Sequence, residues 1–263
     1  WDYVILTASN ESQAQSYRMQ IQYRLDHGML PKSIHYAVLP DPDGKRVGSG
    51  GATLNVLRYI HQDAGSFDDK RILVIHSGGD SKRVPQYSAC GKLFSPVPRL
   101  LPNGRRSTLF DEFMISMCGV AARIRAGMLV CSGDVLLLFN PLQIDFYGSG
   151  AAALSIKEPA EVGKNHGVYR VDEQGNVGGF LHKKTVDQLH ELKAADENGN
   201  VDIDTGAVIM DTDLLKALYK LVDTPEQFDA YVNENTRLSF YADFLYPLAS
   251  QSSLEQYYKE TPE

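Results

Sequence analysis

The sequence predicts an α/β fold, and three features carry that expectation. From the first residues onward, short apolar runs rich in β-branched residues alternate with amphipathic segments. The first three, a strand over Tyr3–Ala8, a helix over Glu11–Asp26 and a strand over 34–39, make one βαβ unit. Two further apolar runs, 72–75 and 127–131, stop abruptly at polar turns that carry glycine, His76-Ser77-Gly78-Gly79 and Ser132-Gly133-Asp134.

Taken in order, Ser9 or Asn10 supplies the N-cap of the first helix. After the second strand comes DPDGKRVGSGGATLN. It reads as a Pro-Asp-Gly turn, a basic pair and a glycine-rich loop, with a helix beginning near Thr53. Residues 96–98, Pro-Val-Pro, are extended. A helix over 107–125 places Leu109, Phe113, Met117 and Val120 at helical spacing, where they read as core. Residues 135–139 form another apolar strand candidate. In the second half, 151–156 and 167–171 read as strands, 172–176 as a turn and 177–181 as a hairpin partner. A run over 201–210 carries Asp202, Asp204, Thr205 and Gly206 at its centre, and helices over 214–222, 225–233 and 241–249 close the chain. Polar groups inside an apolar run point to function, because a buried carboxylate is costly without partners. The economical description is one α/β domain with a C-terminal substrate lobe.

Composition narrows the function classes. The 263 residues are 43% hydrophobic, ample for a large core. With 26 basic and 33 acidic residues the net charge is −7, which argues against broad nucleic-acid binding, so any anion site is local. Cys90, Cys118 and Cys131 are scattered without a CxxC, so neither a disulfide framework nor a zinc site is expected and a reducing cytoplasm fits. No apolar run reaches the roughly 18 residues of a membrane span. The chain starts at Trp1 and not at Met, which reads as a trimmed or partial chain.

The stretch from 72 to 98 holds the densest chemistry. Gly78 and Gly79 let consecutive N–H groups point at one anion. Ser81, Lys82 and Arg83 add a hydroxyl and two cations, and Lys92 adds an ammonium, enough to hold a polyphosphate. A Walker A loop needs Ser or Thr directly after its lysine, whereas Leu93 follows Lys92. Asp134, at the carboxyl end of a strand, is placed to hold Mg²⁺. Gly48, Gly50 and Gly51 form a second loop that can close over a base or a phosphate. Lys183, beside His182 and Lys184, would meet a sugar phosphate or face solvent.

On these residues the chain resembles the sugar nucleotidyltransferases. GGDSKRVPQYSACGK resembles their Gly-Gly, Arg and Pro-Lys signature, and the Gly-Asp at Asp134 resembles their metal-binding Gly-Asp. Lys183 resembles the lysine of their Glu-Lys-Pro motif, and Asp204-Thr205-Gly206 their Asn-Thr-Gly. Through DPDGKRVGSGGATLN, HSGGDSKRVP, GKLFSPVP and NHGV it is more closely similar to the fucose-1-phosphate guanylyltransferase domains of bifunctional fucokinase/GDP-fucose pyrophosphorylases. Ser81 stands where the signature has its second Gly, Gly91 where it has Pro, and His182-Lys183-Lys184 where it has Glu-Lys-Pro. The base-binding loop precedes the arginine signature in this chain, which implies a rearranged strand order.

The resemblance implies a Rossmann-like, GT-A-like mixed sheet flanked by helices. It implies a single domain over 1–263, with a nucleotide-binding half at 1–145 and a sugar-phosphate-binding lobe at 146–263. It also implies a longer chain carrying a sugar kinase domain. The implied reaction transfers GMP from GTP to L-fucose 1-phosphate, with Mg²⁺ as cofactor. Arg83 would clamp the β- and γ-phosphates, Lys92 would bridge the α-phosphate and the sugar phosphate, and Asp134 would hold the metal. Gly50, Gly51, Ala52 and Thr53 would line the base, Gly48, Gly78, Gly79 and Ser81 would contact the nucleotide, and Asn55 is a weaker candidate. Lys183, His166, Asp204 and Thr205 would bind the sugar phosphate. Asp204 and Asp243 are both candidates for a second metal ligand, and His76 reads as a packed residue. Two alternatives stand beside this: a non-catalytic nucleotide-binding module of a sugar kinase, and a nucleotidyltransferase for another sugar 1-phosphate. A dinucleotide-binding oxidoreductase ranks below both, because the first strand leads into Thr7-Ala8-Ser9-Asn10 and not into GxGxxG.

Overall fold

A computed structural model describes residues 1–77, 87, 91–144, 146 and 149–260. The chain begins with strand β1 (Tyr3–Ala8), helix α1 (Glu11–Asp26) and strand β2 (His35–Pro40). Asn10 is the N-cap of α1, accepting from the Gln13 N–H at 2.9 Å. Helix α2 (Gly48–Ala64) and strand β3 (Arg71–His76) follow, then a small antiparallel pair, β4 (Pro96–Leu100) and β5 (Arg106–Thr108). Helix α3 (Leu109–Cys118) leads to β6 (Gly127–Ser132). The second half contains β7 (Ala151–Pro159), α4 (Ala160–Gly163), β8 (Gly167–Val171), β9 (Val177–His182), α5 (Val186–Glu191) and β10 (Asn200–Met210). Helices α6 (Thr212–Tyr219), α7 (Pro225–Tyr231) and α8 (Leu254–Glu260) complete the described chain.

The main sheet is mixed, in the order β2-β1-β3-β6-β10-β8-β9, with β7 pairing on β10. Strands β2, β1, β3 and β6 are parallel, and β10 runs antiparallel to β6, β7 and β8. Strands β1, β3 and β6 read as unbroken apolar runs because both of their faces are covered, whereas the edge strand β2 is only partly buried. Val4, Leu6, Leu73, Ile75 and Leu129 pack with Tyr17, Phe110 and Phe113 of α1 and α3 on one face. Tyr3, Ile5, Ile72, Val74 and Val130 pack with Leu57 and Ile60 of α2, and with Phe240 and Phe244, on the other. A smaller cluster of Val168, Leu181, Leu189, Val201 and Ile203 lies in the second half.

Four expectations about local structure are corrected. Helix α2 starts at Gly48, not near Thr53, so the glycine-rich stretch is its first turn. Its glycines admit a close neighbour: the backbone of Arg237 and Leu238 occupies the space a Cβ on Gly48 would need, and Gly50 N–H donates to the Leu238 carbonyl at 2.8 Å. The helix expected over 107–125 is only Leu109–Cys118 with a short 3₁₀ turn after it. Ser107 and Thr108 belong to β5, and Thr108 closes a capping box with Asp111. Residues 135–139 form no strand, because β10 already occupies the free edge of β6. The expected helix over 241–249 is a π-helical turn, Phe240–Leu245, followed by a 3₁₀ turn that contains Pro247, which has no N–H to continue a ladder. Among the described residues, no helix is long and apolar enough to cross a membrane.

Candidate active site

The four parallel strands end in register. Leu39, Thr7, His76 and Ser132 lie in one row across the sheet, so the loops after β2, β1, β3 and β6 open on one edge. Open α/β sheets bind ligands outside such carboxyl ends. Gly78, Gly79, Ser81 and Arg83 follow β3 and lie outside the described residues, as does Lys82.

Lys92 and Asp134 meet at this edge. The Lys92 ammonium is 3.6 Å from Asp134 Oδ2, and the Ser132 hydroxyl donates to Asp134 Oδ1 at 2.7 Å. The lysine stands on an anchored segment. Gly91 has φ +73°, and the Tyr17 hydroxyl fills the place of the missing Cβ. Leu93 is fully buried, and Phe94 packs on Tyr17 and Phe110. A buried leucine after the lysine accounts for the departure from a Walker A loop. Asp134 stays solvent-accessible, with its side chain 53% exposed. Among the described residues, no three His, Cys, Asp or Glu side chains gather to hold a metal ion. A single accessible carboxylate still suits Mg²⁺, which binds through one or two carboxylates plus substrate phosphates and keeps several waters.

Beside this pair, at the ends of β1, β2 and β3, lies a cleft of about 200 Å³ lined by Thr7, Ser9, Asp41, Arg46, Gly48, Ser49, Ala52 and His76. Gly48 and Ala52 thus border open space, while Gly50, Gly51 and Thr53 are buried. Asn55 is half-buried, with its amide 3.4 Å from the Pro40 carbonyl. Thr53 donates its one hydroxyl proton to the Ser49 carbonyl at 2.9 Å, so toward His76 it can only accept, from Nε2 at 2.9 Å. Nδ1 then accepts from Thr7, 3.2 Å away. Burial lowers the His76 pKa to about 4, so the ring is a neutral bridge between three elements. Burial raises Asp41 to about 6, against the opposing pull of the Val47 N–H and the Arg46 charge.

The second half reaches the same edge through a bulge in β10. The register of β10 on β7 shifts between Asp204 and Ala207, and Ala207 pairs with Cys131 of β6. Gly206, at φ +74°, fits there because a Cβ would press on Ser132. Asp204 Oδ1 accepts from the Tyr169 hydroxyl at 2.8 Å and from Gly206 N–H at 2.9 Å. Burial and the Asp204 charge push the phenol pKa values of Tyr169 and Tyr241 well up. Thr205 spends its hydroxyl on the Leu154 carbonyl at 2.6 Å. His166 and Lys183 sit together at the end of the β8–β9 pair, where Lys183 N–H donates to the His166 carbonyl at 3.0 Å, and both side chains are exposed. Gly167 links them to Asp204: a Cβ there would lie 3.5 Å from the Asp204 Cβ.

Two other polar candidates are committed elsewhere. Asp243 accepts from Ser239 N–H at 2.5 Å and from the Tyr257 hydroxyl, which anchors the π-helical turn. Asp202 accepts from Ser155 at 2.9 Å and Lys157 at 3.0 Å. Asp41, Ser132, Tyr169 and Tyr241 were not singled out by sequence. The tyrosines sit in apolar runs where they are indistinguishable from core, and Asp41 reads as an ordinary turn residue.

The sequence model of the family described as "Fucose pyrophosphorylase domain" matches residues 64–263. The chain is 31% identical over 243 residues to the bifunctional fucokinase/GDP-fucose pyrophosphorylase of Arabidopsis thaliana, covering 79% of this chain and 23% of that protein. It is 30% identical over 287 residues to the fucose-1-phosphate guanylyltransferase of Mus musculus, covering 97% of this chain and 47% of that one. The chain therefore spans less than half the length of either relative. HddC from Yersinia pseudotuberculosis, solved in complex with GMP-PN, aligns over 98% of this chain and 97% of that chain at 12% identity and a TM-score of 0.39. By the family match over most of its length, the chain belongs to the fucose pyrophosphorylase domain family.

Proposed function

We propose that the chain is the nucleotidyl-transfer part of a fucose-1-phosphate guanylyltransferase, moving GMP from GTP to L-fucose 1-phosphate and releasing pyrophosphate. The observation that carries this reading is the Lys92–Asp134 pair at the carboxyl end of β6, in a chain of this family. A sugar phosphate oxygen is already anionic at neutral pH, so it attacks the α-phosphorus without a protein nucleophile. Catalysis then rests on positioning and charge stabilisation.

In this reading Lys92 lies between the α-phosphate and the incoming sugar phosphate and neutralises charge as the new bond forms. Asp134, oriented by Ser132, would hold Mg²⁺. When bound, the ion would offset phosphate charge and orient the reactants. Arg83 and the Gly78-Gly79 amides would hold the leaving pyrophosphate. Lys183 and His166 are the cation and the polar ring for the sugar phosphate, and Asp204, held by Tyr169, lines the sugar side. Residues 1–145 would form the nucleotide half and 146–263 the sugar-phosphate half of a GT-A-like domain. In the full protein a sugar kinase would be fused to it, working in the cytoplasm. The test is pyrophosphate release by the full-length protein with GTP, Mg²⁺ and a panel of sugar 1-phosphates, run beside Asp134→Ala. Turnover with L-fucose 1-phosphate that vanishes in the variant supports the assignment. Wild-type silence with GTP still bound would leave a nucleotide-binding module instead.

A further inference from the structure

We propose that Asp41 selects guanine, its carboxylate accepting from the N1–H and the exocyclic amino group of a base seated in the cleft at the ends of β1, β2 and β3. The inference rests on the guanylyl-transfer reading and adds the group that reads the base.

The cleft has the size and chemistry for a purine. Its volume is about 200 Å³, and Gly48 and Ala52 give it a wall without bulky side chains. Ionised Asp41 is an acceptor only, so it repels phosphate and calls for a donor. Its partial withdrawal from water makes any acceptor position left without a donor costly; the Val47 N–H supplies one donor, and the Arg46 charge nearby favours the ionised form. No imidazolium competes for it, because the neutral His76 ring has both nitrogens bound by Thr7 and Thr53. Guanine presents two adjacent donors on its Watson–Crick edge, a match for the two oxygens of one carboxylate. Adenine would set the N1 lone pair against the same oxygens.

Placement agrees with this chemistry. Asp41 follows β2, and three strand spacings separate β2 from β6 in the order β2-β1-β3-β6. That puts Asp41 roughly 14 Å from β6, the strand that leads into Asp134, a span a nucleotide bridges with its base at one end and its phosphates at the other. The Asp41 N–H donates to the Ala8 carbonyl at 2.8 Å, so the residue continues the β1–β2 ladder and sits on rigid backbone.

The experiment measures equilibrium binding of GTP, ITP, XTP and ATP to the full-length protein and to Asp41→Asn, beside GTP turnover. Wild type should bind GTP about tenfold to a hundredfold more tightly than ITP, which lacks the amino group, since hydrogen bonds to a charged acceptor carry that range. Asp41→Asn should lose GTP affinity on that same order, leave ATP nearly unchanged and shift preference toward XTP, whose C2 carbonyl accepts from the new amide. Equal wild-type affinities for GTP and ITP, or an unchanged nucleotide ranking in the variant, would overturn the assignment. The ITP comparison needs no variant to fold. Guanine preference that depends on Asp41 without any turnover upholds this inference and sinks the proposed reaction. Turnover with an unchanged ranking does the reverse.

Discussion

The Lys92 ammonium stands 3.6 Å from Asp134 Oδ2, which joins the Gly-Lys of one loop to the Gly-Asp at the end of β6. Both side chains are partly exposed, 29% and 53%, and an ion pair in such a setting contributes at most about 1 kcal/mol to stability. The pair therefore matters for what it can hold. Lys92→Ala should lower kcat by about 10² to 10³, the range for removing one group that stabilises transition-state charge. Its melting temperature should stay close to wild type. Steady-state kinetics beside a thermal melt check this, and a variant with full turnover would remove Lys92 from the mechanism.

How much of this was legible in the sequence follows from where each signal originates. Val4 and Leu6 face one helical layer while Tyr3 and Ile5 face the other, so β1 shows as a plain apolar run, and β3 and β6 do likewise. Lys92 and Asp134 were readable because each follows a glycine at a strand end or loop, a local pattern. The start of α2 was not readable. Glycine is a poor helix former, and Gly48 and Gly50 are tolerated there because Leu238, distant in sequence, packs against them. Asp41 gains its role from burial at the sheet edge, and Tyr169 from Asp204, distant in sequence; no local spacing announces either.

Tyr169 tests the sugar side. Its hydroxyl is buried and donates to Asp204, a charged acceptor at the bulge of β10. Tyr169→Phe removes one such bond and should cost about 1.5 to 3 kcal/mol of folding stability. It should also raise KM for the sugar phosphate more than it lowers kcat, because Asp204 loses orientation and not charge. Urea unfolding paired with kinetics separates the two effects. An unchanged unfolding midpoint would mean that the Tyr169–Asp204 bond contributes nothing net.

A second polar contact is structural. Arg24 of α1 makes a bidentate pair with Asp111 at 2.7 and 3.0 Å, with both side chains more than nine-tenths buried and Phe94 and Phe110 against the guanidinium. Burial pushes the Asp111 carboxyl up, and the hydrogen bonds from Arg24 and Thr108 outweigh it, so its pKa is lowered. A carboxyl held below its unfolded value stabilises the fold above that value and loses the contribution as pH falls through the folded pKa. Arg24→Met should destabilise by about 3 to 5 kcal/mol at pH 7, because it leaves a buried carboxylate unpaired. The deficit should shrink in acid, because without Arg24 burial favours the neutral carboxyl, so Asp111 of the variant takes up a proton and sheds its uncompensated charge. Chemical denaturation at pH 7 and pH 3 reads it.

His76 has the opposite linkage. Burial lowers its pKa from 6.5 to about 4, since a proton would charge a ring held between Thr7 and Thr53. Above pH 6.5 the ring is neutral folded and unfolded, and its environment is at no disadvantage. As pH falls from 6.5 toward 4 the unfolded chain takes up the proton and the folded one does not, so stability declines across that window and levels off below it. His76→Gln keeps a donor and an acceptor but does not titrate. Its stability should fall less steeply than wild type between pH 6.5 and 4, measured by urea midpoints at half-unit steps. For the same reason no ionisation of His76 should shape kcat between pH 6 and 8. Parallel stability curves for the two proteins would show that the ring is protonated as easily in the fold as in the open chain.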